Sequence, residues 1–144
     1  MDDRSREYPS RPLVGVGAII IDESRVVLVR RAKEPSKGKW SIPGGLTRLG
    51  ETLAHSVIRE AAEETGLFVK VGPLVELVER VFHDKDGRIQ FHYVIADYKC
   101  MVEDGDLRAG SDAIQVRWAP KDALDDFALP KITLDTINKA LEMN

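Results

Sequence analysis

An α/β fold, with a mixed sheet held between helices, is predicted by three features of this chain. Runs of β-type residues alternate with two helical patterns, no internal repeat or low-complexity linker interrupts them, and 144 residues suit one hydrophobic core. A chain of this size buries roughly 68–70% of its unfolded surface, so a single domain over residues 1–144 is expected. Within it, residues 1–12 are charged and lack apolar periodicity, which predicts a loose N-terminal segment.

The elements follow in order. Leu13 to Ile21 and Val26 to Arg30 are β runs joined by the turn Asp22-Glu23-Ser24-Arg25. A helix is predicted from Thr52 to Thr65, ended by Gly66, which tolerates the left-handed conformation that closes a helix. Phe68 to Phe82 is rich in β-branched residues and is broken by Gly72-Pro73, and Ile89 to Met101 is a long strand. Between them Asp86-Gly87 is a hairpin signal, so Asp84-Lys85-Asp86-Gly87 is a turn rather than a calcium loop, lacking the glutamate that would complete such a loop. Ala113 to Trp118 forms a further short strand. A closing helix begins at Leu129 or Pro130, where Leu134, Ile137 and Leu141 recur at helical spacing.

The first helix carries the chemistry. Glu60, Glu63 and Glu64 stand at i, i+3 and i+4, so their carboxylates share one arc, while Ala54, Val57, Ile58, Ala61 and Ala62 occupy another that can pack on a core. Glu60 and Glu64, one turn apart, repel by roughly 0.2–0.5 kcal/mol on a bare helix. A divalent cation would reverse that sign. Arg59 lies one turn before Glu63 and can orient it, and Pro43-Gly44-Gly45 ahead of the helix lets backbone approach a ligand closely. Oxygen donors of this kind suit Mg²⁺ or Mn²⁺, and the cluster holds no Cys or His for zinc.

Residues 45–67 fill every constrained position of G-x5-E-x7-R-E-U-x-E-E-x-G-U, with U aliphatic, through Gly45, Glu51, Arg59, Glu60, Ala61, Glu63, Glu64, Gly66 and Leu67. By this signature the chain resembles the Nudix hydrolases. The likeness extends to Val26 to Ala32 and to Gly38-Lys39-Trp40-Ser41-Ile42-Pro43-Gly44-Gly45, and covers most of residues 13–120. The resemblance implies the α/β/α Nudix sandwich, with the motif as loop, helix and loop. It also implies metal-dependent hydrolysis of the diphosphate linkage in a nucleoside diphosphate derivative. Glu60, Glu63 and Glu64 then hold Mg²⁺ or Mn²⁺, the Gly44 carbonyl adds a ligand, and Glu51 and Arg59 support the cluster. Glu63 and Asp112 are the two candidates for general base. ADP-ribose is the favoured substrate, from the lead-in and from Phe91-His92-Tyr93-Val94, although His83 stands where many ADP-ribose enzymes have proline. A MutT-like triphosphate pyrophosphatase is the alternative, but Asp125 to Lys131 lacks the purine-reading asparagine of that type. A sensor that binds without cleaving typically loses motif glutamates, and this chain keeps them all. Dimers among relatives make a homodimer an open expectation.

Arg30, Arg31, Lys33, Lys37 and Lys39 form a basic stretch beside the acidic loop, and an anionic substrate needs such partners. Arg30, Arg31 and Trp40 are therefore candidate substrate-binding residues, Trp40 having the competing role of core anchor. A net charge of −3 with interspersed signs excludes a duplex nucleic acid footprint. Leu13 to Ile21 is too short to cross a bilayer and the start has no apolar signal core, so a cytoplasmic protein is expected. Cys100, the single cysteine, is expected to be a structural thiol, and His55, His83 and His92 to be surface or packed residues. Gly15-Val16-Gly17 is a strand feature, since no helix follows as a dinucleotide fingerprint requires.

Overall fold

A computed structural model describes residues 6–144. Seven strands, two α-helices and a 3-10 helix follow one another as β1 (Leu13–Asp22), β2 (Arg25–Arg31), β3 (Trp40–Ser41), β4 (Gly44–Leu46), α1 (Leu53–Thr65), β5 (Leu67–His83), β6 (Ile89–Gly105), β7 (Ala113–Pro120), the 3-10 helix (Lys121–Phe127) and α2 (Lys131–Glu142). The sheet order is β3-β2-β1-β6-β5, with β4 added beside β1 and β7 beside β2. β1 and β6 run parallel from Leu13↔Tyr93 to Ile20↔Cys100, while the other pairs are antiparallel, which makes the sheet mixed as expected.

Alternation along β1 separates two cores. Val16, Ala18 and Ile20 point to one face, where Val57 and Ala61 of α1 pack with Val27, Leu67, Val69 and Cys100. Ile19 points to the other, where Ile137 and Ala140 of α2 pack with Val26, Leu28, Val75 and Leu124. The helices therefore cover opposite faces, giving the α/β/α arrangement.

Local chemistry sets the ends of α1. Thr52 Oγ1 accepts the His55 N–H at 3.2 Å as N-cap, and Gly66 takes φ 75° with its N–H donating to the Ala62 carbonyl. Its core face is narrower than the sequence predicts. Val57 and Ala61 are fully buried, but Ile58 is 37% exposed and Ala54 is exposed; Ser56, Glu64 and Thr65 take the remaining buried positions. The contact follows the i, i+4, i+8 line of Val57, Ala61 and Thr65, whose hydroxyl is satisfied by the Ala61 carbonyl at 2.6 Å.

Two further expectations are corrected. Gly72-Pro73 does not break the strand: β5 continues through it with register shifts around Leu74, and an edge strand accommodates a proline that donates no ladder bond. The predicted end of β6 at Met101 falls short, because pairing with the start of β5 carries the strand to Gly105. In the segment expected to be loose, residues 1–5 lie outside the described residues, whereas Tyr8 donates its N–H to the Gln90 carbonyl at 2.8 Å and its hydroxyl to Asp84 at 2.7 Å. Asp84 also accepts the Asp86 and Arg88 N–H groups, so the Asp84 to Gly87 stretch is the expected turn. Among the described residues no helix is long and apolar enough to cross a membrane. Cys100 is buried, and burial pushes its thiol up to about 12, as suits a packed side chain.

Candidate active site

Strand β4 lies against the acidic end of α1, and two glycines make that approach possible. A Cβ at Gly45 would fall 2.5 Å from the Glu60 carboxyl carbon, and one at Gly44 would fall 2.1 Å from the Val16 carbonyl oxygen. The close backbone approach anticipated from Gly44-Gly45 is thus made by a strand rather than a loop. The Gly44 N–H donates to Glu64 at 2.8 Å.

Arg59 organises the opposite side of the cluster. Its Nε and Nη2 donate to both oxygens of Glu51 at 2.7 and 2.9 Å, Nη1 to Glu60 at 2.7 Å and Glu63 at 3.3 Å, and Nη2 also to the Leu46 carbonyl at 3.1 Å. The two-pronged bond from Arg59 holds the Glu51 carboxyl down at about 2. Glu51 in turn raises the affinity of the guanidinium for its proton.

Glu64 behaves in the opposite way. It is 7% exposed, and burial pushes its carboxyl up to about 8, helped by repulsion from Glu60 and Asp112 and opposed by the Gly44 N–H and Arg31. Burial also raises Glu60 against the pull of Arg59.

The expected convergence of the three carboxylates is not drawn tight: among the described residues no three Glu, Asp, His or Cys side chains form a closed metal cage. Each carboxylate instead takes its nearest donor, Glu60 and Glu63 on Arg59 and Glu64 on Gly44. The donor set nevertheless fits a hard divalent cation. It is all oxygen, and burial makes Glu60 and Glu64 resist ionisation, so a cation would favour their charged forms.

A cleft of about 620 Å³ opens on this cluster. Glu60, Glu63, Glu64, Arg31, Lys33 and Asp112 line one end. The other runs over the α2 face of the sheet, past Gly15, Gly17, Tyr93, Ile95 and Asp97, to Ile132 and Thr136.

Residues 11–138 match the NUDIX domain family model. The chain belongs to the Nudix family of hydrolases. Over 124 residues it is 35% identical to the ADP-ribose pyrophosphatase of Methanocaldococcus jannaschii, covering 86% of this chain and 68% of that one. A MutT-like protein of Streptomyces ambofaciens is 29% identical over 124 residues, which are 84% of this chain and 73% of the relative. The crystal structure of a MutT NUDIX hydrolase from Burkholderia pseudomallei superimposes with a TM-score of 0.75 at 28% identity, covering 90% of this chain and 98% of that one.

Arg59, Glu60, Glu63 and Glu64 thus lie on α1, with Glu51 just ahead of it bonded to Arg59 and Gly44 bonded to Glu64. The basic stretch divides. Arg31 reaches the cleft while its Nε donates to the Pro35 carbonyl at 2.8 Å, and Lys33 pairs with Asp112 at 3.2 Å at the same end. Arg30 does not line the cleft; it bonds the Gly38 carbonyl at 3.0 Å and Gln115 at 3.3 Å. Trp40 is also outside the cleft, edge-on to Phe127 at 5.1 Å within the α2 core, so it is the core anchor. Its strand alternates with Ser41, which does line the cleft. Sequence reasoning overlooked Arg48, 3.6 Å from Glu63, and the buried Asp97. An acid within the apolar strand run Tyr93-Val94-Ile95-Ala96-Asp97 was the signal for the latter.

Proposed function

We propose that this Nudix hydrolase cleaves the diphosphate linkage of a nucleoside diphosphate derivative, ADP-ribose first among them, with Mg²⁺ or Mn²⁺. The observation that carries the reading is the buried Glu64, pinned by the Gly44 N–H beside Glu60 in a cleft that also presents Arg31 and Lys33. Glu60, Glu63, Glu64 and the Gly44 carbonyl would hold the cation, whose contribution would be to neutralise phosphoryl oxygens and lower the pKa of a water for in-line attack on phosphorus. Arg59 fixes the carboxylates, and Glu51 holds Arg59. Arg31 supplies a positive partner for the diphosphate.

The attacking water must lose a proton, and two carboxylates are placed to accept it. Glu63 is held by two long contacts, 3.3 Å to Arg59 and 3.6 Å to Arg48. Asp112 stands across the cleft on Lys33 and would have to leave that ion pair.

ADP-ribose is supported by the 35% identical relative that bears that activity in its name. A MutT-like triphosphate reaction is the second reading, supported by the names of the Streptomyces and Burkholderia relatives. Incubation with Mg²⁺ in ¹⁸O-labelled water tests both. ADP-ribose should give AMP and ribose 5-phosphate with the label in a phosphate of one product, whereas the second reading requires a monophosphate and pyrophosphate from a triphosphate. Label in a sugar hydroxyl would overturn attack on phosphorus. A cytoplasmic location and a homodimer belong to the same proposal. The dimer has support in Leu74, Leu77 and Val81, which are 48%, 58% and 43% exposed along edge strand β5, and light scattering of the purified chain checks it.

A further inference from the structure

Gly44, Gly17, Asp97 and Glu76 stand in one row across four adjacent strands, with Gly17 registered to both Gly44 and Asp97 and Asp97 to Glu76. Asp97 is 6% exposed. Its carboxylate does not point into a packed core, because it lines the cleft that Glu60, Glu63 and Glu64 also line. It lies flat over Gly17: a Cβ there would come within 2.1 Å of Oδ1, so only glycine leaves that space to the carboxylate.

No hydrogen bond or ion pair from the described residues reaches either oxygen of Asp97. Arg80 attracts it from a distance and Glu76 repels it, and burial, the largest influence, pushes its carboxyl up to about 7. The carboxyl oxygens open on the cleft and take no donor from the described residues, so a ligand that fills the cleft and excludes water there must supply one or leave the acceptor unpaired. The surrounding wall is mixed, with Val78, Ile95 and Ile132 supplying apolar surface and Arg80 and Thr136 polar groups in the same cleft. That combination suits a flat or lightly polar organic group whose edge carries a hydrogen-bond donor, and not a phosphate, which a carboxylate would repel.

We infer that Asp97 is a specificity-determining residue which accepts a hydrogen bond from a neutral N–H or O–H donor on the nucleoside half of the substrate. The inference rests on the diphosphate-hydrolase reading of the adjoining carboxylate cluster. One chemistry has two sources here: the amino group of the base and the hydroxyls of its ribose. Discrimination of this kind is strong, because an analogue without the donor leaves the buried carboxylate unpaired in the complex.

The test is a comparison of kcat/KM for ADP-ribose, its inosine analogue, in which a carbonyl replaces the amino group, and its 2′-deoxy and 3′-deoxy adenosine analogues. The intact enzyme should lose at least about tenfold on one of the three, and the analogue that suffers identifies the donor. Asp97→Asn should then narrow that ratio to within about threefold, with the inosine analogue favoured over ADP-ribose if the base is the partner, since an amide can donate to its carbonyl. Equal kcat/KM on all analogues by the intact enzyme overturns the inference without any variant. So does an Asp97→Asn protein that loses activity on every analogue in the same proportion, which marks a structural role. An intact enzyme that cleaves none of these compounds removes the ADP-ribose reading itself, and the inference with it.

Discussion

Glu51 and Glu64 belong to one motif and one residue type, yet their surroundings drive them apart. Glu51 accepts two bonds from the Arg59 guanidinium and sits at about 2, whereas Glu64 is buried with a single backbone N–H and sits at about 8. A full positive charge in direct contact stabilises the first; the second has one backbone N–H in contact and Arg31 only at a distance. The difference assigns their work. The Glu51 end of the motif is electrostatically complete, while the Glu64 end holds a carboxyl whose ionisation the protein itself leaves uncompensated. In the reading proposed above, a cation is the partner that would compensate it.

The largest expected effect breaks the incomplete end. Glu64→Gln and Glu63→Gln should each lower kcat at least tenfold, about 1.4 kcal/mol of barrier or more, while circular dichroism and melting show an intact fold. Both variants remaining within tenfold of the parent would remove the metal-ligand assignment.

Next in size is damage to the complete end. Arg59→Ala leaves Glu51 and Glu60 without their shared partner, and breaking a largely buried pair of this kind costs about 3 kcal/mol, read as a lowered denaturant midpoint. The pH profile shares the cause. Because Glu51 is held at about 2 instead of 4.5, its contribution is fully present above pH 4.5 and is lost as pH falls toward 2. Arg59→Ala should flatten the fall in stability over that window, and a profile unchanged from the parent would show that the pair carries no such linkage.

How much of this contrast could be read from the residues alone depends on the range of the interaction. The motif spacing placed Glu60, Glu63 and Glu64 on one arc, and Thr52 and Gly66 marked the ends of the helix, because caps and helical periodicity act within a few residues. The short strands β3 and β4 carry no readable alternation and exist through pairing with β2 and β1. Arg30 and Arg31 look interchangeable in sequence, yet the β2–β7 register shifts between them, and only that pairing decides which one meets the cleft. Whether Glu64 or Glu51 is buried is likewise a tertiary fact, set by the approach of Gly44 and Gly45 to α1.

The smallest effect sharpens the comparison at the substrate side. Arg31→Ala should raise KM for the diphosphate substrate several-fold, about 1 kcal/mol, whereas Arg30→Ala should leave KM unchanged and cost only the stability of its bonds to Gly38 and Gln115. Equal rises in KM would mean that Arg30 turns into the cleft when substrate binds.

The account rests on the uncompensated charge at Glu64, and a melting experiment with and without Mg²⁺ addresses it directly. Because Glu64 is raised from 4.5 to about 8, its ionisation destabilises the apo fold progressively as pH rises from 4.5 and fully above 8. Mg²⁺ at a hundred times its Kd should contribute about 2.7 kcal/mol by binding only the folded chain. The melting temperature of the parent should therefore rise with Mg²⁺, more at pH 8.5 than at pH 4, each set about half a unit beyond one end of the Glu64 window. Glu51→Gln should keep most of that rise and Glu64→Gln should lose it. A parent melt indifferent to millimolar Mg²⁺ at both pH values, or a Glu64→Gln protein stabilised as fully as the parent, would contradict the account.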